Sequence, residues 1–180
     1  KPDGSNWIPV RNYSDANGVY YAGNIDGQNF TVRGLRINSD QGYVGFVSYS
    51  KPNAKVENIM FDDAKIYAGN SAAGIAVGYQ RKGSLVNNVH VSNSTITGTS
   101  HVGGIVGYSY RRYRTDKPIE EDYNDDEFAY IQNCSIDKNS AIIGTGNYVG
   151  GICGQNYGSV IINCVNHADV SGNEYVGGIV

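Results

Sequence analysis

The chain holds 180 residues, with 24 glycines, 20 asparagines and 15 tyrosines but only two leucines, Leu35 and Leu85. That excludes a helical bundle or a coiled coil, and four prolines without a three-residue glycine period exclude collagen. A formal net charge of −3 argues against a nucleic-acid surface and against charge-driven disorder.

The first readable stretch is Trp7-Ile8-Pro9-Val10. It leads to Tyr20-Tyr21-Ala22-Gly23-Asn24-Ile25-Asp26-Gly27-Gln28-Asn29-Phe30, in which Asp26-Gly27 signals a turn. Thr31, Arg33 and Arg36 then interleave with Phe30, Val32, Leu35 and Ile37 around Gly34, which predicts strand with one bend. From Tyr43 onward one phrase returns. It reads Tyr43-Val44-Gly45-Phe46-Val47, then Ala72-Ala73-Gly74-Ile75-Ala76-Val77-Gly78-Tyr79, then His101-Val102-Gly103-Gly104-Ile105-Val106-Gly107-Tyr108. The last two copies are Tyr148-Val149-Gly150-Gly151-Ile152-Cys153-Gly154 and Tyr175-Val176-Gly177-Gly178-Ile179-Val180. The leading glycines Gly45, Gly74, Gly103, Gly150 and Gly177 are separated by 29, 29, 47 and 27 residues. The 47 is one 29-residue repeat plus 18 inserted residues.

A second phrase follows each first one at a near-constant distance: Val56-Glu57-Asn58-Ile59, Val86-Asn87-Asn88-Val89, Ile131-Gln132-Asn133-Cys134 and Ile161-Ile162-Asn163-Cys164. A third, looser phrase places Ile66, Ile96, Ile142 and Val170 just ahead of Gly69, Gly98, Gly144 and Gly172. Three short apolar phrases per repeat, bounded by Gly, Asn or Ser, predict three short strands separated by turns. The fold expected is all-β: a right-handed parallel β-helix, a β-solenoid of about 27–29 residues per coil with equivalent strands stacked about 4.8 Å apart. Leucine-rich repeats would need Leu columns, and propeller blades need about 40 residues. The organisation expected is one solenoid segment over 1–180, with 1–40 as an irregular first coil and 41–180 as repeats carrying a loop at about 109–130. Because the pattern is in mid-course at Ile179-Val180, the chain reads as a piece of something longer.

Glycine at a repeated corner fits either a positive φ or a close approach between backbones. Asn58, Asn88, Asn133 and Asn163 are expected to form a column whose amides hydrogen-bond from coil to coil. Both sets are structural assignments.

These phrases resemble the GLUG-motif repeats of bacterial surface proteins, and residues 23–32 resemble the stretch that commonly precedes them. The likeness extends from about Trp7 to Val180. It implies an extracellular or cell-surface location and a binding or spacing role, as in adhesin-like proteins, gut Bacteroidetes surface proteins and the non-catalytic parts of immunoglobulin A peptidases. It brings no catalytic residues, no cofactor and no metal.

Of the residues that could carry chemistry, the insertion stands out. Arg111, Arg112 and Arg114 precede a run holding Asp125 and Asp126, with Tyr113 and Tyr123 interleaved. Solenoid insertions emerge as loops on one face, so these seven residues are the candidate binding set, with a glycan or host protein as partner. Tyr43, Tyr148 and Tyr175 before the glycine phrase, and Tyr49, Tyr79 and Tyr108 after it, predict aromatic columns that stack for stability or face a ligand. Cys134 and Cys164 fall in neighbouring coils; free buried thiols are expected, although a disulfide fits the spacing. Asp62, Ser92, Asp137 and His167 share a column, so Asp137 with His167, or Asp62, would carry the alternative, a β-helical polysaccharide-cleaving enzyme. A third possibility is a non-catalytic spacer of a surface protease. The leading expectation is an adhesin-like binding or stalk module, monomeric, without nucleic-acid partners, at the cell surface or secreted by a bacterium.

Overall fold

The computed structural model describes residues 6–10, 20–40, 42–70, 72–111 and 128–180. Every named element is a strand, and every pairing between strands is parallel. The first coil holds β1 (Asn24–Arg33), β2 (Arg36–Ser39) and β3 (Val47–Ser50), and the second β4 (Lys55–Asp62), β5 (Lys65–Ala68) and β6 (Val77–Arg81). The third has β7 (Leu85–Ser92), β8 (Thr95–Gly98), β9 (Val102–Gly103) and β10 (Val106–Tyr110). The fourth comprises β11 (Tyr130–Gln132), β12 (Ser135–Ile136), β13 (Ala141–Gly144), β14 (Asn147–Gly150) and β15 (Cys153–Tyr157). The fifth comprises β16 (Val160–Ile162), β17 (Val165–Asn166), β18 (Asp169–Ser171) and β19 (Glu174–Gly177).

Stacked coil on coil, these form sheets in the orders β1-β4-β7-β11-β16, β2-β5-β8-β13-β18, β3-β6-β10-β15 and β9-β14-β19, with β12 joining β7 to β17. The molecule is a parallel β-helix of five coils. The later glycine phrases hold two strands where the sequence predicts one: Gly104-Ile105 bends the chain between β9 and β10, which adds the fourth, short sheet.

Columns of like residues fill the interior. Ile37, Ile66, Ile96 and Ile142 stack in register on one side, and Val47, Val77, Val106 and Cys153 on another. Ile75, Ile105 and Ile152 lie between, all fully buried. Each such aliphatic side chain contributes about 1.5–3 kcal/mol by leaving water.

Two residue types shape the corners. In β4, Val56 and Ile59 both point inward although they are three apart, because Asn58 between them adopts φ 55° and shifts the alternation. Asn88, Asn133 and Asn163 do the same at φ 52°, 55° and 51°. Of the two roles open to the repeated glycines, close approach is the one used: Gly45 and Gly74 are absent from the positive-φ positions, and a Cβ on Gly45 would lie 2.6 Å from the Gly74 carbonyl oxygen. The first coil departs from this regularity. Two extra residues bulge between Asp26 and Phe30 opposite Glu57 and Ile59, and Gln28 and Asn29 both take positive φ where later coils need one such residue.

Candidate functional site

The asparagine column is a hydrogen-bonded ladder with a direction. The carboxylate of Asp26 can only accept, so Asn58 Nδ2 donates to it at 3.0 Å. That turns Asn58 Oδ1 towards the next coil, where Asn88 Nδ2 donates at 2.9 Å. Asn88 Oδ1 then faces His90 Nε2 at 2.8 Å, so that nitrogen donates, and Nδ1 lies in hydrogen-bonding contact with the Ser135 hydroxyl at 2.7 Å. Since His90 occupies Asn88 Oδ1, Asn133 Nδ2 donates to Asn87 Oδ1 instead, at 2.9 Å, and Asn163 follows at 3.3 Å. The fork at His90 is a departure that the sequence periodicity does not contain. The Gln28 amide first, and Asn58 second, hold the Asp26 carboxyl below its usual range.

The column expected to hold an acid–base pair is formed but chemically occupied. His167 follows β17 directly above Asp137, yet no hydrogen bond or ion pair joins them. Asp137 Oδ1 instead accepts from Ser140 Oγ at 2.6 Å and the Asn93 amide at 3.2 Å, and Oδ2 from Asn139. Asp62 accepts from Asn93 Nδ2, Ser92 Oγ and Arg33, and the Asn93 and Ser92 hydrogen bonds first, with the Arg33 charge, hold its carboxyl below the usual range. Each carboxylate is thus engaged by neighbouring donors rather than by His167.

All three cysteines are free thiols. Cys134 is buried, as expected, whereas Cys164 in the adjacent coil is only half-buried. The two neighbouring thiols influence each other: Cys134 holds the Cys164 thiol below its usual range, while the contact with Cys164 and burial push Cys134 up.

The tyrosines form a connected array of rings. Tyr49 and Tyr79 stack at 4.6 Å, Tyr110 and Tyr157 at 5.5 Å, and His101, Tyr148 and Tyr175 make a second stack at 5.1 and 5.0 Å. Tyr108 links the two through His101 and Tyr79. The array is split in exposure. Tyr49 and Tyr79 are buried, whereas Tyr157 and Tyr175 are 46% and 67% exposed. His101, Tyr148 and Tyr175 all have φ between 52° and 64°, a conformation that side chains of this size seldom take. Burial lowers the His101 pKa, against a hydrogen bond with Gln155 that raises it.

Of the candidate binding set, Arg112, Tyr113, Arg114, Tyr123, Asp125 and Asp126 lie outside the described residues. Arg111 lies at the root of the insertion and is buried, with its guanidinium 4.3 Å from the Phe128 ring centroid and its amide donating to the Tyr157 carbonyl at 2.8 Å. Phe128 in turn accepts from the Gly83 amide, and Ala129 from Val160. Both ends of the insertion are thus tied into the coils above and below.

On a different sheet, the outward side of β2, β5 and β8 forms an open groove of about 770 Å³ that includes Arg36, Asn38, Lys65, Tyr67, Thr95 and Thr97. No motif singles these residues out. A lone Lys-x-Tyr carries no signature, and the sole signal in the sequence is that Tyr67 stands outside the two phrases that place the other repeat tyrosines.

Comparison with known proteins agrees with this architecture. The GLUG motif model matches residues 145–171. Halomucin of Haloquadratum walsbyi is 30% identical over 106 residues, which cover 58% of this chain and 1% of halomucin. A candidate immunoglobulin A1 protease of Bacteroides ovatus has the same fold, with a TM-score of 0.77 at 22% identity; the match covers 97% of this chain and 50% of that one. The chain therefore spans about half, or far less, of the length of these proteins.

Proposed function

We propose that this chain is a rigid β-helical module of an extracellular or cell-surface protein that presents the insertion at about 109–130 to a glycan or protein partner. The observation that carries this reading is the anchoring of the insertion. Between β10 and β11 the sequence carries 18 residues beyond its repeat, and the described residues at either end of them, Arg111, Phe128 and Ala129, are fastened to the coils. The GLUG match and the likeness to halomucin and to the candidate immunoglobulin A1 protease support the surface setting. A module of this kind acts passively: the parallel ladders resist bending, and the loop supplies the contact. Its test is a glycan and host-protein array probed with the chain and with a variant lacking 112–127. The variant keeps a thermal midpoint within a few degrees of the parent and loses binding; equal binding by both removes the insertion from the role. The occupied carboxylates of Asp62 and Asp137 speak against a glycan-cleaving alternative.

A further inference from the structure

We propose that the groove on the outer side of β2, β5 and β8 is a binding site for an acidic polysaccharide, one carrying carboxylates, lying along the stack. Tyr67 is 47% exposed and, among the described residues, its ring touches no other ring and its hydroxyl makes no hydrogen bond, unlike the tyrosines of the two stacks. A half-exposed aromatic face with no partner in a groove is the surface on which a sugar ring packs. Around it stand Thr95 and Thr97, whose hydroxyls both donate and accept, and the Asn38 amide.

The charge selects the ligand. Two cations, Arg36 and Lys65, sit next to one another in register, and among the described residues no acid lines the groove, in a chain whose net charge is −3. Arg36 is held in place by Asp63, Nη2 to Oδ2 at 2.7 Å, which offsets its charge; Lys65 has no ion pair among the described residues. Further along the same columns the cations are replaced by Thr95, Ala141 and Asp169, and Tyr67 by Thr97, Ile143 and Ser171. The site is therefore local to the first three coils. Equivalent residues on successive coils are about 4.8 Å apart, so a sugar chain laid along the stack advances by roughly one residue per coil. A sugar packed on Tyr67 thus has its own or its neighbour's carboxylate within reach of Lys65.

The proposal rests on the surface reading only for the source of the polysaccharide, and the groove is on a different sheet from the insertion. The test titrates a short oligogalacturonate, its neutral galactose counterpart and inorganic sulfate against the full chain, Tyr67→Ala, Lys65→Gln and the variant lacking 112–127, with circular dichroism confirming the fold of each. The acidic oligosaccharide binds and the neutral one binds at least about tenfold more weakly. Tyr67→Ala weakens binding about tenfold. Lys65→Gln weakens it about threefold and flattens its salt dependence. The insertion deletion changes nothing. Equal affinity for the neutral sugar, an unaffected Tyr67→Ala, displacement by sulfate at equal concentration, or no binding would each overturn the proposal. Loss of binding in the insertion deletion alone would overturn it in favour of the loop.

Discussion

At positions 58, 88, 133 and 163 asparagine does two things at once: it accepts a left-handed backbone and it carries the ladder. The two can be separated at Asn88. Asn88→Ala loses both, at about 2–3 kcal/mol, whereas Asn88→Gly keeps the backbone and costs about 1 kcal/mol for the lost amide bonds. Urea unfolding of the pair measures this, and equal losses would show that the ladder alone matters. His101 is the other residue with a readable cost. Burial lowers its native pKa, so the unfolded chain binds the proton more readily and stability rises with pH. Its contribution is complete above the unfolded value of about 6.5 and is lost as pH falls towards and through the lowered native value. Tyr148 and Tyr175 occupy the same register at φ 64° and 53°, so His101→Tyr fits the site. Thermal midpoints between pH 5 and 7.5 should vary less in that variant than in the parent; an unchanged slope would assign the pH dependence to other groups.

Elements here are defined more by corners than by strands. The glycine phrase lets the backbone of one coil press against that of the next: a Cβ on Gly74 would lie 2.5 Å from the Gly107 amide nitrogen of the next coil and 2.5 Å from the Val77 carbonyl oxygen of its own. Neither can move without breaking the ladder of the neighbouring coil, so Gly74→Ala costs more than about 3 kcal/mol. Gly34 is the contrast. It has φ 65°, and a Cβ there would meet nothing within 4 Å, so Gly34→Ala incurs only the backbone penalty of about 1–2 kcal/mol. Chemical denaturation of the two variants ranks the mechanisms, and a larger loss at Gly34 would reverse the order. The long strands β4 and β7 show the same principle, since a single left-handed asparagine lets eight residues turn a corner while staying paired.

For the molecule as a whole, the repeat carried most of the information. In a parallel stack each residue hydrogen-bonds to its counterpart one period away, so a 29-residue spacing in the chain becomes a column in space. That is why the coil, the isoleucine and valine columns, the asparagine ladder and the Asp62-Ser92-Asp137-His167 alignment were all legible in the residues. The fourth short sheet was not, because the bend at Gly104-Ile105 falls inside one phrase and leaves its spacing unchanged. Nor was the burial of Tyr49 and Tyr79 beside the exposure of Tyr157 and Tyr175, which depends on how many rings cover each one.

Repetition along the chain is enough to define the period, the identity of each column and the coil that follows from them. What each column does is settled by the folded stack. It turned Asp137 towards Ser140 and Asn93 rather than His167, it diverted the asparagine ladder through His90, and it set a half-exposed Tyr67 two residues along from the Arg36–Lys65 pair. Register is enforced by periodic backbone hydrogen bonds, whereas a side chain's partner is chosen by whichever local donor or acceptor lies nearest, and that choice has no period.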